Sequence, residues 1–269
     1  IKKMLTLRKT NKINKMATPE NEILFPENII KAPSQKDCKK IEYIVNTIEA
    51  LARCTNKGMY IIDYHKKNFL YVSQGMAQLF EKTQKEILNA GSSIYTELIP
   101  EEDQNIIREI NKQGRIKLNE TPISEKLNYS LSYDFQIICD GKKRMINNQM
   151  TPLLLNSKGE IWLTLGTIAL STSQNSGNGI LRKNGISEYW IYNPEKKGWT
   201  LCTEYKLSKF EKEILRLSAQ GLKVDEIAAL FGKQRDHIKN YKRLLFKKLN
   251  VHNISEAITY TTNFHLLNY

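Results

Sequence analysis

The sequence predicts an α+β domain, an antiparallel sheet flanked by helices, followed by a smaller all-α domain of four helices. Three observations carry this. Between residues 56 and 170, short β-like pieces and short helices give way to three long alternating segments. After Leu207 only helical periodicity remains. The charge divides the same way. Of the +13 net charge, residues 1–40 hold +6 (10 Lys/Arg, 4 Asp/Glu), residues 41–204 hold +1 (19 and 18) and residues 205–269 hold +6 (12 and 6). A neutral domain joined to a basic one suits a sensor attached to a module that binds a polyanion.

The elements follow in order. Residues 1–35, rich in Lys and Asn, have no clear period and read as a loosely ordered basic arm. Ile41, Ile44, Val45, Ile48, Leu51 and Ala52 recur at helical spacing and predict a helix from about Gln35 to Cys54, with Ser34 at its start. Met59–Asp63 and Phe69–Val72 flank a polar turn as in a hairpin. Ser73–Leu79 and Thr83–Leu88 read as short helices. Pro100 followed by Glu101, Glu102 and Asp103 marks a further helix start, expected to run to about Gln113. Tyr129–Cys139, Lys143–Leu155 and Ile161–Leu170 read as strands, with Leu131, Tyr133, Phe135 and Ile137 on one face and Asp140-Gly141 as a tight turn. Ser171–Gly179 is Ser/Asn/Gly-rich and reads as flexible. Tyr189–Tyr192 and Trp199–Thr203 suggest one more hairpin. The domains are thus 1–35, 36–204 and 205–269.

In the last domain, Ser208 and Glu211 form a capping box, and Gly221 ends the first helix. The second helix spans about Val224–Phe231 and breaks at Gly232. The third runs from about Arg235 to Leu249, and Asn253 with Glu256 opens the fourth. On the third helix, Ile238, Leu245 and Leu249 fall within about 20° of one another. Lys239, Asn240, Arg243 and Lys247 fall on the opposite side, centred about 140–200° away. One face can bury while the other presents long cationic chains, as a helix entering the major groove requires.

The ordered set Leu207-Ser208, Glu211, Ile214-Leu215, Leu217, Ala219-Gln220-Gly221, Glu226-Ile227-Ala228, Ile238-Lys239, Lys248-Leu249, Val251 and Glu256-Ala257 resembles the LuxR/FixJ-type helix-turn-helix family over about 60 residues. The resemblance implies that the third helix is a recognition helix for duplex DNA and that the fourth is a dimerisation surface. By the resemblance Lys239, Asn240 and Arg243 sit where the family contacts DNA, and Lys247, Lys242, Arg235 and His237 complete the candidate DNA-binding set. Phe210, Gln234, His237, Tyr241 and Ile254 depart from the family pattern, and Gln234 removes a strong N-cap and a phosphate contact.

The middle of the chain is similar to a PAS domain on Ile61-Ile62-Asp63, Phe69-x-Tyr71-Val72-Ser73, Ile99–Asp103, Tyr133–Cys139, Met145–Thr151 and Asn156–Ile161. Such domains hold small ligands or mediate protein contacts, and no cofactor is identifiable. Met76–Phe80 lacks the cysteine of a flavin photoadduct. His65 falls in a turn rather than at an axial haem position.

The expected function is a cytoplasmic transcription regulator, a homodimer on double-stranded DNA, with RNA polymerase as a further candidate partner. The alternative is a PAS-based scaffold whose helix-turn-helix mainly dimerises. An enzyme is not expected, because GxGxxG, GxxxxGK and HExxH are all absent. The Glu101–Asp103 cluster reads as dipole capping. A receiver domain would need an early acidic pair and a doubly wound sheet. No run of about 18 apolar residues predicts a membrane span. Four scattered cysteines, none in a CxxC pair, suit neither a zinc site nor a disulfide scaffold.

Overall fold

The structure is a computed structural model and describes residues 35–186, 188–203, 207–263 and 266. The arm and Ser34 lie outside the described residues.

The first helix, α1 (Gln35–Arg53), packs on one face of a sheet that begins with the hairpin β1 (Gly58–Asp63) and β2 (Asn68–Val72). Strand alternation sorts β1 between two layers. Met59 and Ile61 join Ile41, Ile44, Val45 and Ile48 of α1 on the outer face. Tyr60 and Ile62 point into the main core. That core is closed by four helices, α2 (Gln74–Leu79), α3 (Gln84–Ala90), α4 (Ser93–Leu98) and α5 (Glu101–Asn119). Their starts are local chemistry. Ser73 Oγ accepts from Met76 N and from Met59 N, so one hydroxyl caps α2 and ties it to β1. Thr83 and Glu86 form a reciprocal capping box on α3.

Helix α5 runs six residues past its expected end at Gln113. Gly114 lies within it, and a methyl group there would meet Leu131 Cδ2 at 3.0 Å. The glycine is a packing device, and Leu118 one turn on is buried. Helix α4 and a 3-10 turn at Ile123–Asn128 were not legible as separate elements.

The strands β3 (Tyr129–Cys139), β4 (Lys142–Leu155) and β5 (Ile161–Leu170) lie where expected. Asp140 and Gly141 both take positive φ, as a two-residue hairpin turn requires. The sheet then continues. β6 (Gly177–Lys183), β7 (Glu188–Asn193) and β8 (Gly198–Thr203) extend it beyond β3. The full order is β2-β1-β5-β4-β3-β6-β7-β8, and every neighbouring pair is antiparallel. The first five strands, with α2–α5 on one face, form the PAS-like domain. The last three cover what would otherwise be the open edge at β3.

The expectation of a flexible Ser171–Gly179 is corrected. Its polar side chains bind two buried acids. Asp134 accepts from Ser171 Oγ (2.9 Å), Asn147 Nδ2 (2.9 Å) and Asn178 Nδ2 (3.0 Å). Asp103 accepts from Ser176 Oγ (2.5 Å) and Gln136 N (2.6 Å). Burial pushes the Asp134 carboxyl up, and its three donors pull it back in part. Ordering a polar segment costs entropy; here that cost is offset by satisfying buried acceptors.

The C-terminal domain comprises α6 (Lys209–Ala219), α7 (Val224–Leu230), α8 (Arg235–Leu249) and α9 (Ile254–Asn263). Ile214, Leu217, Ile227, Ala228 and Ile238 form its first apolar cluster. Leu215, Leu245, Leu249 and Ala257 form a second, which Tyr189 of β7 joins. The helical domain therefore rests against the sheet extension. The Tyr189 and Tyr260 hydroxyls lie 3.4 Å apart.

Candidate nucleic-acid interface

Helix α8 is set by its neighbours. Ser208 Oγ accepts from Glu211 N (3.2 Å) and Glu211 accepts from Ser208 N (2.7 Å), which starts α6. Gly221, at φ +89°, closes α6 as a left-handed residue that glycine adopts at little cost. Lys223 N donates to Glu226 (2.6 Å) and starts α7. Gln234 stands at the N-cap of α8 and makes no side-chain cap bond, in line with the loss expected from this residue. Asn250, left-handed at φ 53°, ends the helix.

Ile238, Leu245 and Leu249 are fully buried, and they fix which face of α8 turns outward. Lys239, Asn240, Arg243 and Lys247 lie on that outer face. Arg243 Nη2 donates to Asn240 Oδ1 (2.9 Å), so these two side chains form one exposed unit. Lys239 Nζ lies 3.5 Å from Asp236 Oδ1 in a largely solvated pair. Arg235 is held away from the stripe by Asp225 of α7, 3.2 Å from its Nε. His237 is exposed on the flank.

Lys242 is placed differently from the other cations. At 100° per residue it falls about 40° from Ile238, beside the buried seam rather than opposite it. Burial accordingly lowers the pKa of its ammonium group. The stripe thus gathers four of the seven sequence-predicted residues, flanks them with Arg235 and His237, and leaves Lys242 at the edge of the core.

An aromatic cluster braces the helix from behind. The Phe210 ring meets Tyr241 edge-on at 4.8 Å and Phe231 at 4.7 Å. Two of the departures from the family pattern, Phe210 and Tyr241, therefore pack on each other. Paired aromatic departures on facing helices were a signal the sequence carried, visible only once the helices are known to touch.

Helix α9, implied as a dimerisation surface, shares its apolar cluster with Tyr189 inside the chain, and Ile254, Ile258 and Tyr260 are partly buried there. Among the described residues no helix is long and apolar enough to cross a membrane, and no group of three or more His, Cys, Asp or Glu side chains is placed to hold a metal.

The PAS-like domain holds a cavity of about 120 Å3 between α5 and the sheet. Leu118, Leu131, Met150 and Leu181 supply apolar walls, and Tyr64, Asn111, Arg115 and Thr164 supply polar groups. Asn111 Nδ2 donates to Tyr133 Oη (3.2 Å) behind it. Burial lowers the pKa of the Arg115 guanidinium, with the Tyr64 and Tyr133 hydroxyls acting against that. Sequence periodicity marks Tyr133, Met150 and Leu131 only as core.

Residues 205–261 match the family of bacterial regulatory proteins, luxR family. No curated protein matches the chain. Among solved structures, the Vibrio cholerae VqmA dimer without target DNA is 17% identical, with 82% of this chain and 88% of that chain covered and a TM-score of 0.33. A phage VqmA in complex with DPO is 12% identical, with 85% and 90% covered and a TM-score of 0.32. The PAS domain of a protein from Colwellia psychrerythraea is 12% identical, with 48% and 98% covered and a TM-score of 0.36. From Tyr205 onward, the chain carries a helix-turn-helix domain of the bacterial luxR family, joined to the PAS-like domain that precedes it.

Proposed function

We propose that the protein is a transcription regulator that grips duplex DNA through α8, as a homodimer whose two recognition helices meet half-sites about one DNA turn apart. One observation carries this reading. The exposed face of α8 presents Lys239, Asn240, Arg243 and Lys247 together, opposite a seam of fully buried Ile238, Leu245 and Leu249. Arg and Lys donate to guanine O6 and N7 or to phosphate, and Asn reads adenine through two hydrogen bonds. The test is a gel-shift titration of Lys239→Ala/Arg243→Ala on DNA selected by the wild type. Specific binding is lost while the melting temperature stays within a few degrees. Unchanged affinity rejects the assignment of α8.

The PAS-like domain is the sensor in this reading. Its cavity, about 120 Å3 and lined on one side by Arg115 and Asn111, suits a ligand of about one ring with a hydrogen-bond acceptor. Strand β6 gives the cavity a path outward. Leu181 faces the cavity, while its neighbour Ile180 lies on the opposite face and packs with the helical domain. A ligand that displaces Leu181 moves the strand against which the DNA-binding domain rests. Native mass spectrometry of the purified protein detects a bound molecule of that size. If Arg115→Met and Asn111→Leu leave any co-purifying ligand in place, the cavity is not its site.

A further inference from the structure

The outward face of α8 carries one residue that a purely electrostatic grip would exclude. Asp236 is the single acid of the helix, against Arg235, Lys239, Lys242, Arg243, Lys247 and Lys248. At 100° per residue it falls within about 60° of Lys239, Asn240, Arg243 and Lys247, at the centre of their stripe. It lies about 160° from Ile238, opposite the buried seam. Its side chain is 88% exposed, and among the described residues its one ion pair is to Lys239, at 3.5 Å. It belongs to the first turn, the part of a recognition helix whose residues reach base edges.

A carboxylate in that position repels the phosphates on both sides of the groove and weakens binding to arbitrary DNA. Desolvated against bases without a donor, it is also left unpaired. What donates to it on the groove floor is an exocyclic amino group, and the cytosine N4 amino group is the one that acids read. Adenine offers its N6 amino group beside the N7 acceptor, which repels a carboxylate. The G·C pair also presents guanine O6, an acceptor next to the cytosine amino group. Asp236 and Lys239 present an acceptor and a donor next to each other.

We propose that Asp236 determines sequence specificity: with Lys239 it reads one C·G base pair in each half-site, the carboxylate accepting from cytosine N4 and the ammonium donating to guanine O6. This rests on the reading that α8 binds DNA. A negative charge near a helix N-terminus also stabilises the helix dipole, and a pair three residues apart adds a little more. Those roles alter stability and leave base preference untouched, which separates them from the proposal.

The experiment is selection from duplexes with a randomised central stretch, using the full chain, Asp236→Ala and Asp236→Asn. The wild type enriches sites with C·G at one fixed position in each half-site. Exchanging that pair for T·A weakens wild-type binding roughly ten-fold. The alanine variant loses the preference at that position alone, is indifferent to the exchange, and binds unselected duplex more tightly than the wild type. The asparagine variant shifts the preference to adenine, which an amide can read through N6 and N7. Identical preferences for all three proteins overturn the assignment of Asp236 while the grip of α8 stands. If the wild type enriches no sequence, the DNA-reading role of α8 falls, and this proposal with it.

Discussion

Lys248 Nζ lies 3.0 Å from both carboxylate oxygens of Glu211, so the last turn of α8 is anchored to the residue that caps α6. The same carboxylate accepts the Ser208 N–H. One partly buried acid thus accepts the Ser208 N–H, caps α6 and pairs with Lys248 of α8. Three connections meet at a position that helical periodicity marks only as a cap.

This anchor gives a pH dependence. Burial raises the Glu211 carboxyl, but the Ser208 hydrogen bonds and Lys248 outweigh it and leave its pKa below the ordinary value. A depressed folded pKa means stability that is complete above the unfolded value of about 4.3 and lost as pH falls through the folded one. Glu211→Gln should therefore cost about 1 kcal/mol near neutral pH. The gap to the wild type should close on acidification below about pH 4. Denaturant unfolding at several pH values checks this; a gap that widens in acid contradicts it.

Gly166 in β5 is predicted to tolerate no side chain. A methyl group there would stand 2.0 Å from Tyr60 Cζ. Tyr60 cannot retreat easily, because it is fully buried and its hydroxyl donates to Asn148 Oδ1 at 2.7 Å. Gly166→Ala should destabilise the PAS-like domain by about 1–3 kcal/mol, as overpacking does. Urea unfolding followed by tyrosine and tryptophan fluorescence measures it.

Tyr189 should hold the helical domain on the sheet extension. It is buried among Leu215, Leu245, Leu249 and Ala257. Tyr189→Ala should cost roughly 3 kcal/mol at this contact. Amide exchange should then rise in β7 and α9 and stay unchanged in β1, β4 and β5. Uniform acceleration across the chain would place Tyr189 in a single shared core instead.

The logarithm of the DNA affinity should fall linearly with the logarithm of salt concentration, because phosphate contacts release counterions. Lys247→Ala should reduce that slope by about 1 and leave base preference intact. Lys242→Ala should change the slope less than Lys247→Ala, since Lys242 lies beside the buried seam. A slope that drops equally for both variants would put Lys242 on the DNA face.

The helical domain was legible because its determinants are local. Ser208 with Glu211, Gly221, Gly232 and the alternation of Ile238, Leu245 and Leu249 with Lys239, Arg243 and Lys247 act within a few residues of one another. Hence the boundaries of α7 and α8 fall within one residue of those expected. The five-strand core was legible for the same reason, since period-two burial and the Asp140-Gly141 turn are short-range signals.

What the sequence by itself determined, then, is the pair of domains and the outward cationic stripe of α8. Tertiary structure alone decided the rest. A serine- and asparagine-rich stretch becomes an ordered bridge into β6 because Asp103 and Asp134, distant in sequence, need donors. Gly114 lies inside α5, where Leu131 of β3 fills the space a side chain would need. In both cases the deciding partner lies beyond the reach of any local pattern: for the polar stretch it is the need of two buried carboxylates for donors, and for the glycine it is the close packing of a strand against the helix.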